Sequence, residues 1–466
     1  MESRLSRALV AGALVAVACG GQPPAVVAPP RFSVRGGFPT APDGRALILR
    51  GLNYANDHKF PDPKTTSFFP PWESARDFSD MRSYGFNSVR LIITWEAVEP
   101  QPGAYDEHYL DALMQRLDWA AAAGVWVIVD MHQDIYAREF GGDGAPKWAV
   151  VTDGIPFQLS STWYLNFASP AVQRAMDNFF NDKQALLTHF VDAWAHVAER
   201  VREHPALVGY DLLNEPFPGS KALNVDAADR DVMNPFYERL IARLAQVDRT
   251  HLFFVEPSAV RTNVFAGGFP SQMERYAAAA GRMVFSPHLY DPVVTTTGKY
   301  DGDKSRLETN VTKLAAEAKR LAAGLWVGEW SVWDGHVDNG DAFLRDQLDA
   351  MDEHLASWSF WNFSRNPGDK TSPTQTPSFL DQLARPQLSV VAGVPEIIAC
   401  TAAKCTFRYT EQGAGESEFL IPATWSTSPV ITVTPTRTVR KAKQGTLLDV
   451  FVASGGTQSI VVTVSR

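Results

Sequence analysis

Two glutamates, Glu215 and Glu329, each lie at the end of a short apolar run. Glu215 stands in the motif Asn-Glu-Pro, and Glu329 stands in Gly-Glu-Trp. Two carboxyl groups that face one bond can hydrolyse a glycosidic linkage, because one protonates the leaving oxygen while the other faces the anomeric carbon. We therefore predict Glu215 as the acid/base and Glu329 as the nucleophile.

Polar and aromatic side chains also close most of the other apolar runs: Arg90, Asp130, His132, Asp134, Asn214, Glu256, His288, Tyr290 and Trp361. His288 and Tyr290 are two residues apart, so we expect them on one face of a strand, with Tyr290 donating a hydrogen bond to Glu329. Glu256 is a rival carboxylate without a companion motif. The histidines lack the His-x-x-x-His spacing of a zinc site, and neither a metal nor another cofactor is predicted.

The apolar runs predict the elements that position these side chains. Runs typical of strands are Leu47–Asn53, Asn87–Trp95, Trp126–His132, Val208–Glu215, His251–Glu256, Met283–Tyr290, Leu325–Trp330 and Trp358–Phe363. The clearest helical patterns are Asp106–Ala123, Pro170–Glu203, Pro235–Val247, Lys304–Ala323 and Asp341–Leu355. This alternation predicts an α/β protein with a (β/α)₈ TIM barrel, whose catalytic groups gather at the C-terminal strand ends. We expect Asp130 and Asp211 to pair with Arg90 there.

The pattern changes at residue 385 to short strands with no helix between them. The predicted strands are Gln387–Ala392, Glu396–Thr401, Cys405–Tyr409, Glu416–Pro422, Val430–Pro435, Leu447–Ala453 and Ser459–Val464. Such spacing predicts a smaller β-sandwich over residues 385–466, after a catalytic barrel over residues 31–384. Cys400 and Cys405 are predicted to form a disulfide. A basic run is expected to be a solvated hairpin: Arg437, Arg440, Lys441 and Lys443.

The first 30 residues predict export. A basic start precedes the apolar stretch Ala8–Ala18, which is too short to span a bilayer and ends in an A-x-A cleavage pattern. We predict a leader over residues 1–19, a Pro- and Gly-rich tether over residues 20–30, and lipidation at Cys19, with simple secretion as the alternative. The protein is thus expected to be lipid-anchored at the cell envelope or secreted. A net charge of -9 argues against nucleic-acid binding. A monomer is assumed.

Taken in their order along the chain, the motifs at these strand ends resemble those of glycoside hydrolase family 5, a retaining β/α-barrel family. The matching residues are Arg50-Gly51-Leu52-Asn53, Arg90, His132, Asn214-Glu215-Pro216, His288-Leu289-Tyr290, Glu329 and Trp361. The resemblance implies that Asn214 contacts the sugar 2-hydroxyl and that Trp361 stacks beneath the ring. It also implies that Arg90, His132 and His288 belong to the substrate site.

Within that family the sequence is most similar to the endoglycoceramidases and their glucosylceramidase-like relatives, which release sugar from glycosphingolipids. The segments that carry this similarity are Asp130–Asp134, Gly144–Ala149, Ala175–Phe180, Asn214–Phe217 and Arg385–Pro395. The resemblance implies that Lys59 and Asp134 bind the sugar nearest ceramide. Two departures concern the glycan preference: Pro218 stands where glycine is expected, and Asn263-Val264 lacks a polar side chain of the sugar pocket.

We therefore predict an exported enzyme that cuts between glucose and ceramide by double displacement at a membrane surface. One alternative is a β-glucosidase or endo-β-glucanase of the same family, acting on glucosylceramide, steryl glucoside or a soluble β-glucan. Another is a non-catalytic glycan-binding lipoprotein. Aromatic and apolar residues expected to rim the mouth, or else to form a satellite core, are Phe60, Phe68, Phe69, Trp72, Ile135, Tyr136 and Phe140.

Overall fold

A closed barrel of eight parallel strands, joined in chain order, forms the larger part of the molecule. The computed structural model describes residues 31–262, 268–332, 337–366 and 368–466, so the predicted leader, the predicted tether, Cys19 and Asn263-Val264 lie outside the described residues. The closed parallel barrel confirms the predicted TIM barrel. Its strands are Arg50–Tyr54, Ser88–Thr94, Trp126–His132, Leu207–Asp211, Leu252–Val255, Met283–Phe285, Gly324–Trp330 and Ser357–Phe363.

The barrel strands are buried on both faces. Every residue of the second strand, Ser88–Thr94, is buried, as expected for a parallel sheet that is covered by helices outside and side chains inside. A Cβ atom on Gly51 would lie 1.8 Å from the carbonyl oxygen of Ser88, so only glycine allows the first two strands to pair here. Ile128, Phe254 and Trp326, from the third, fifth and seventh strands, pack in one buried apolar cluster.

The surrounding α-helices are Ala75–Ser83, Trp95–Val98, Glu107–Ala123, Pro170–Phe180, Leu186–Val201, Val225–Ala228, Asn234–Val247, Ala259–Thr262, Pro292–Thr297, Lys304–Arg320, Gly340–Glu353 and Pro377–Leu383. The helix after the second strand shows how the sequence sets both ends. The Asp106 carboxylate accepts the Tyr109 N–H at 3.0 Å, and Gly124 ends the helix at a φ of 71°.

The prediction of one helix over Pro170–Glu203 is wrong. The chain forms two helices, Pro170–Phe180 and Leu186–Val201. Three residues between them have φ angles of 54–64°, which a continuing right-handed helix does not adopt. The Asp182 carboxylate accepts the N–H and the hydroxyl of Thr188, both at 2.8 Å, and so satisfies a donor in the first turn of the second helix.

Two predicted strands end earlier than expected. The fourth strand stops at Asp211 and the sixth at Phe285. Beyond the sixth strand, Pro287 has no N–H to offer a sheet, and the Leu289 N–H donates to the carbonyl of Glu329 at 2.8 Å. The prediction that His288 and Tyr290 belong to this strand is therefore wrong, because both lie on the loop that follows. Both side chains still point to the same side, since His288 Nδ1 and the Tyr290 hydroxyl lie 3.6 Å and 3.0 Å from Glu329 Oε2.

Two antiparallel sheets form the second domain and confirm the predicted β-sandwich. Its C-terminal strands are Gln387–Val391, Gly393–Cys400, Lys404–Glu411, Gly413–Pro422, Val430–Thr434, Val439–Gln444, Leu447–Gly456 and Ser459–Ser465. Three short strands from the start of the described chain extend one sheet: Ser33–Arg35, Phe38–Thr40 and Ala46–Leu47. This sheet therefore draws on both sides of the barrel sequence.

The strand Val439–Gln444 was not predicted, and it carries most of the basic run. It pairs with Leu447–Gly456 and forms an edge of the larger sheet, where Arg440 contacts Glu416 at 2.6 Å. Charged side chains on an edge strand oppose pairing with other sheets. In the other sheet, a disulfide joins Cys400 and Cys405 on paired strands.

Buried polar contacts join the two domains. Arg82, on the first barrel helix, lies 2.8 Å from Glu418 and 3.1 Å from Asp449 of the sandwich. Arg50 donates to Gln387 at 2.9 Å. Among the described residues, no helix combines the length and the apolar character needed to cross a membrane.

Candidate active site

A cleft of about 750 Å³ opens at the C-terminal ends of the barrel strands. Glu215 and Glu329 both line it, with side chains that are 17% and 7% exposed. One carboxylate oxygen of each glutamate and a ring nitrogen of His288 lie within 4.8 Å of one another. The two predicted catalytic carboxyl groups therefore face a common space.

Glu329 is oriented by hydrogen bonds to both of its oxygens. Arg90 Nη1 donates to Oε1 at 2.6 Å, and the Tyr290 hydroxyl donates to Oε2 at 3.0 Å. Burial and the charge of Glu329 raise the pKa of Tyr290 well above its usual value, so its hydroxyl keeps the proton that it donates. The hydrogen bond predicted between Tyr290 and Glu329 is present.

Arg90 is fully buried among four carboxyl groups: Asp130 at 2.9 Å, Asp211 at 2.7 Å, Glu256 at 3.0 Å and Glu329 at 2.6 Å. It also donates to the side chains of Asn53 and Asn214. Burial alone would lower the pKa of Arg90, but the surrounding carboxylates raise it well above its usual value. A permanently charged guanidinium therefore fixes Glu329, and the predicted pairing with both aspartates is present.

Glu215 is held through its backbone as well as its side chain. Its N–H donates to Glu256 at 2.8 Å, its carbonyl accepts from Gln133 at 2.9 Å, and His288 Nδ1 lies 2.8 Å from its Oε1. Burial alone would lower the pKa of His288, but Glu256 and Glu329 raise it well above its usual value. The imidazole is therefore protonated and donates to Glu215.

One part of the cleft lining is polar: Lys59, His132, Asp134 and Trp361. Lys59 Nζ lies 2.6 Å from Asp134 and 4.4 Å from the centre of the Trp361 ring. Burial alone would raise the pKa of Asp134, but Lys59 lowers it below its usual value. Burial and Lys59 lower the pKa of His132 well below its usual value. This lining offers an ion pair, a neutral imidazole and an indole to a hydroxylated ligand.

Another part of the lining is apolar: Trp163, Tyr164, Phe167, Phe217 and Val260. Phe167 packs on Phe217 with ring centres 4.8 Å apart. Trp163 and Tyr164 remain 40% and 51% exposed, and the neighbouring Leu165 is 52% exposed. The cleft therefore continues from a polar surface onto a partly exposed apolar surface.

The loops first expected to supply exposed aromatics are mostly packed inside the protein. Phe69, Ile135, Tyr136 and Phe140 are buried, Phe68 and Trp72 are half-buried, and only Phe60 of the set is exposed. Phe69 stacks on Tyr109 with ring centres 4.8 Å apart, because this loop folds back onto the helix after the second strand. The prediction that these residues rim the mouth is wrong, and the alternative, a satellite core, is correct.

Comparison with known proteins decides the family. The profile of cellulase (glycosyl hydrolase family 5) matches residues 53–367, which is more than half of the chain. The chain belongs to glycosyl hydrolase family 5. It is therefore a glycoside hydrolase.

Within family 5 the chain is similar to proteins named endoglycoceramidase. It is 28% identical to Endoglycoceramidase of Cyanea nozakii, over 68% of this chain and 66% of the relative's length, which is slightly under two thirds. It is 26% identical to Endoglycoceramidase I of Rhodococcus hoagii, over 78% and 74%. Endo-glycoceramidase II from Rhodococcus sp., solved as a Ganglioside GM3 Complex, matches with a TM-score of 0.79, 29% identity and coverage of 91% and 98%. Its Lactosyl-Enzyme Intermediate matches with a TM-score of 0.78, 28% identity and coverage of 94% and 100%.

Two groups in this family 5 site have the atoms to ligate a cation: His132, Asp134 and Asp143, and Glu215, His288 and Glu329. Each group already contains or contacts a positive charge of the protein. Lys59 pairs with Asp134, and protonated His288 contacts Glu215. Each group thus already has a cation of the protein beside its carboxylates.

The structure brings the predicted site residues together. Lys59, His132, Asp134, Asn214, Tyr290 and Trp361 line the cleft with the two glutamates, while Arg90 and His288 lie buried beneath it. Gln133 and Trp163 were missed. Gln133 lies inside the motif DMHQD, and the run Trp-Tyr-Leu at 163–165 was a signal for the apolar lining, because such side chains are unusual on a surface loop.

Proposed function

We propose that this family 5 enzyme is an exported, retaining β-glycosidase that hydrolyses the bond between glucose and ceramide in glycosphingolipids. Glu215 is the acid/base and Glu329 is the nucleophile. One observation carries the proposal: the carboxylate pair lies in a cleft that is polar in one part and apolar in another. Sugar and lipid each find a matching surface beside the reactive groups.

The separation of the carboxyl groups supports double displacement. Retaining enzymes hold them about 5–5.5 Å apart, whereas inverting enzymes leave about 6.5–9.5 Å for a water molecule. Oxygens of Glu215 and Glu329 lie within 4.8 Å, which fits the retaining arrangement. The Lactosyl-Enzyme Intermediate of the Rhodococcus sp. relative supports the same course.

In the first step Glu329 attacks the anomeric carbon while Glu215 protonates the glycosidic oxygen, so ceramide leaves as an alcohol. In the second step water attacks the anomeric carbon of the glycosyl-enzyme, Glu215 takes a proton from that water, and the Glu329 carboxylate is released. Arg90 and Tyr290 orient Glu329 for both steps through their hydrogen bonds.

The polar lining of the cleft binds the sugar half of the substrate, and the apolar lining binds the lipid half. Lys59, His132 and Asp134 bind the glucose hydroxyls, Asn214 binds the 2-hydroxyl, and Trp361 stacks on the ring. The ceramide chains lie along the apolar lining that includes Trp163 and Phe217. The ganglioside complex and the names of the relatives support a glycolipid substrate.

The exposed apolar side chains beside the cleft fit a lipid surface: Leu159, Trp163, Tyr164 and Leu165. Aromatic residues with one polar atom favour the boundary between water and lipid. Export rests on the leader at residues 1–19. Lipidation at Cys19 would anchor the protein at the cell envelope, and intact-mass analysis of the protein recovered from cells tests for the added acyl groups.

The test incubates the purified protein with glucosylceramide, lactosylceramide, a ganglioside and cello-oligosaccharides, and uses Glu329→Gln as the inactive control. We expect ceramide and the intact oligosaccharide from lactosylceramide or from the ganglioside. Glucose from glucosylceramide alone would replace the endo-acting proposal by a glucosylceramidase. Activity on cello-oligosaccharides alone would overturn the lipid substrate, and full activity of Glu329→Gln would overturn the mechanism.

A further inference from the structure

Glu256, which follows the fifth barrel strand, connects the groups that hold both catalytic carboxylates. It is 2% exposed. Its Oε2 accepts the backbone N–H of Glu215 at 2.8 Å. Its Oε1 accepts from Arg90 at 3.0 Å and lies 3.1 Å from His288 Nε2. Arg90 in turn binds Glu329, and His288 binds the side chain of Glu215.

The backbone of Glu215 needs such a partner. Its φ is 38°, in the left-handed region that side chains other than glycine rarely adopt. A residue persists there only when its surroundings hold it. The N–H bond to Glu256 and the carbonyl bond from Gln133 fix the peptide planes on both sides of the Glu215 Cα. They thereby set the direction in which the Glu215 side chain leaves the backbone.

We propose that Glu256 is a positioning residue for the acid/base: it holds the backbone of Glu215 and the ring of His288, so that the Glu215 carboxyl points at the glycosidic oxygen. The inference rests on the assignment of Glu215 as acid/base. Glu256 lies behind the cleft lining and acts through Glu215 and His288. Glu256 thereby sets the direction in which Glu215 delivers its proton to the glycosidic oxygen.

The two carboxyl oxygens of Glu256 fit this role. Burial raises the pKa of Glu256 to about 7, although His288 and Arg90 act to lower it. Its two oxygens accept the Glu215 N–H and the Arg90 guanidinium, and Oε1 also lies 3.1 Å from His288 Nε2. A glutamine at this position has a single acceptor oxygen, so it cannot serve the Glu215 N–H and the two cations together.

The test compares Glu256→Gln with the wild type on aryl β-glycosides whose leaving phenols range from 2,4-dinitrophenol to 4-methylphenol. Dinitrophenolate leaves without a proton, whereas methylphenolate needs one from Glu215. We expect kcat/KM to fall about 100-fold or more for the methylphenyl glycoside and less than about 10-fold for the dinitrophenyl glycoside, because general acid catalysis contributes about 10²–10⁴-fold. An equal loss on all phenols, or no loss, would overturn the proposal.

Asp211→Asn is the matched control. Asp211 is another buried carboxylate of Arg90, at 2.7 Å, but its partners are Arg90 and Ser286 rather than Glu215 or His288. Its substitution should lower kcat/KM by a similar factor for every phenol. If Glu256→Gln fails to fold by circular dichroism, Glu256→Asp carries the same test, since it keeps the charge but withdraws the oxygen from the Glu215 N–H.

Glu215→Ala separates failure of the inference from failure of the proposed function. A true acid/base variant loses far more activity on methylphenyl than on dinitrophenyl glycosides, and azide restores its turnover of the dinitrophenyl glycoside. If Glu215→Ala shows this and Glu256→Gln does not, only the positioning role is overturned. If the loss of activity does not depend on the leaving phenol in either variant, the acid/base assignment itself is wrong.

Discussion

At the scale of single residues, buried charge organises this site. Arg90 is surrounded by four carboxyl groups, and removing Arg90 would leave their negative charge without compensation in a region of low dielectric. Burial and the neighbouring carboxylates raise the pKa of Asp130 well above its usual value, against the effect of Arg90, so Asp130 holds its proton to higher pH. The network thereby limits the excess of negative charge around the nucleophile.

Tyr290→Phe tests how much one hydrogen bond contributes to the orientation of Glu329. The hydroxyl lies 3.0 Å from Oε2, and a hydrogen bond to a charged group contributes about 1.5–3 kcal/mol. We expect kcat on a soluble aryl glycoside to fall about 10–100-fold, with little change in melting temperature. A kcat of Tyr290→Phe equal to that of the wild type would contradict the orienting role of Tyr290.

The candidate residues were predictable because strand ends in a barrel converge on one face. Glu215, Glu329 and Tyr290 each follow an apolar run, and a known fold class then places them together. Gln133 was not predictable in the same way. Its amide contacts the backbone carbonyls of Asn214 and Glu215, and such contacts depend on a loop conformation that no spacing rule describes.

At the scale of elements, periodicity predicted the strands well, and the errors follow the local chemistry. The third strand, Trp126–His132, has the predicted bounds because its apolar run is continuous. The sixth strand ends at Phe285, and Pro287 beyond it has no N–H to donate to a neighbouring strand. The break after Phe180 was missed because residues with positive φ in this break are not glycines.

The short helix Trp163–Ala168 is expected to contact lipid. Tyr164 and Leu165 are about half exposed beside the cleft. We expect Tyr164→Ser with Leu165→Ser to weaken binding to phosphatidylcholine vesicles that carry lactosylceramide and to slow its hydrolysis about 10-fold or more, since each buried apolar side chain contributes about 1.5–3 kcal/mol. Hydrolysis of a soluble aryl glycoside should change less than about threefold.

Val430→Ser provides the control for that double variant. Val430 is 62% exposed but lies on an edge strand of the sandwich, away from the cleft lining. The Val430→Ser variant should bind vesicles as the wild type does. Equal weakening by both changes would indicate general surface adsorption and would contradict a specific contact by the helix.

Acid should loosen the connection between the helix Asn234–Val247 and the fifth strand. Asp248 accepts the Thr250 N–H at 2.7 Å and lies 2.6 Å from His251 Nδ1. Burial alone would raise the pKa of Asp248, but His251 lowers it below its usual value. Because the folded pKa lies below the unfolded value, the stabilisation is present above about pH 4 and is lost as the pH falls through the folded value.

We therefore expect Asp248→Asn to lower the free energy of unfolding by about 1–3 kcal/mol at pH 7 and to flatten its decline below pH 4. Urea unfolding followed by circular dichroism between pH 2.5 and 7 measures both effects. Parallel pH profiles for the variant and the wild type would show that Asp248 does not carry this dependence.

At the scale of the whole molecule, the sandwich stabilises the barrel and is not merely an appended module. Strands Ala46–Leu47 and Gln387–Val391 pair with each other, although the entire barrel sequence separates them. Phe32, Leu47 and Val390 pack with interior residues at the N-terminal end of the barrel. The second domain was predictable as a set of strands, but its use of the N-terminal strands was not, because two- and three-residue strands leave no periodic signal.

Arg82→Met tests this coupling between the domains. Arg82 neutralises Glu418 and Asp449, and burial raises the pKa of Asp449 while Arg82 lowers it. Leaving these carboxylates without their cation should cost about 3 kcal/mol or more in urea unfolding, and barrel and sandwich should still unfold in one transition. Arg76→Met is the control, because Arg76 lies on the same helix with 81% exposure and a 3.6 Å contact to Asp80. A sandwich that melts separately in Arg82→Met, while the barrel keeps the wild-type midpoint and activity, would show that the domains are stable independently and that this buried contact serves only to orient them.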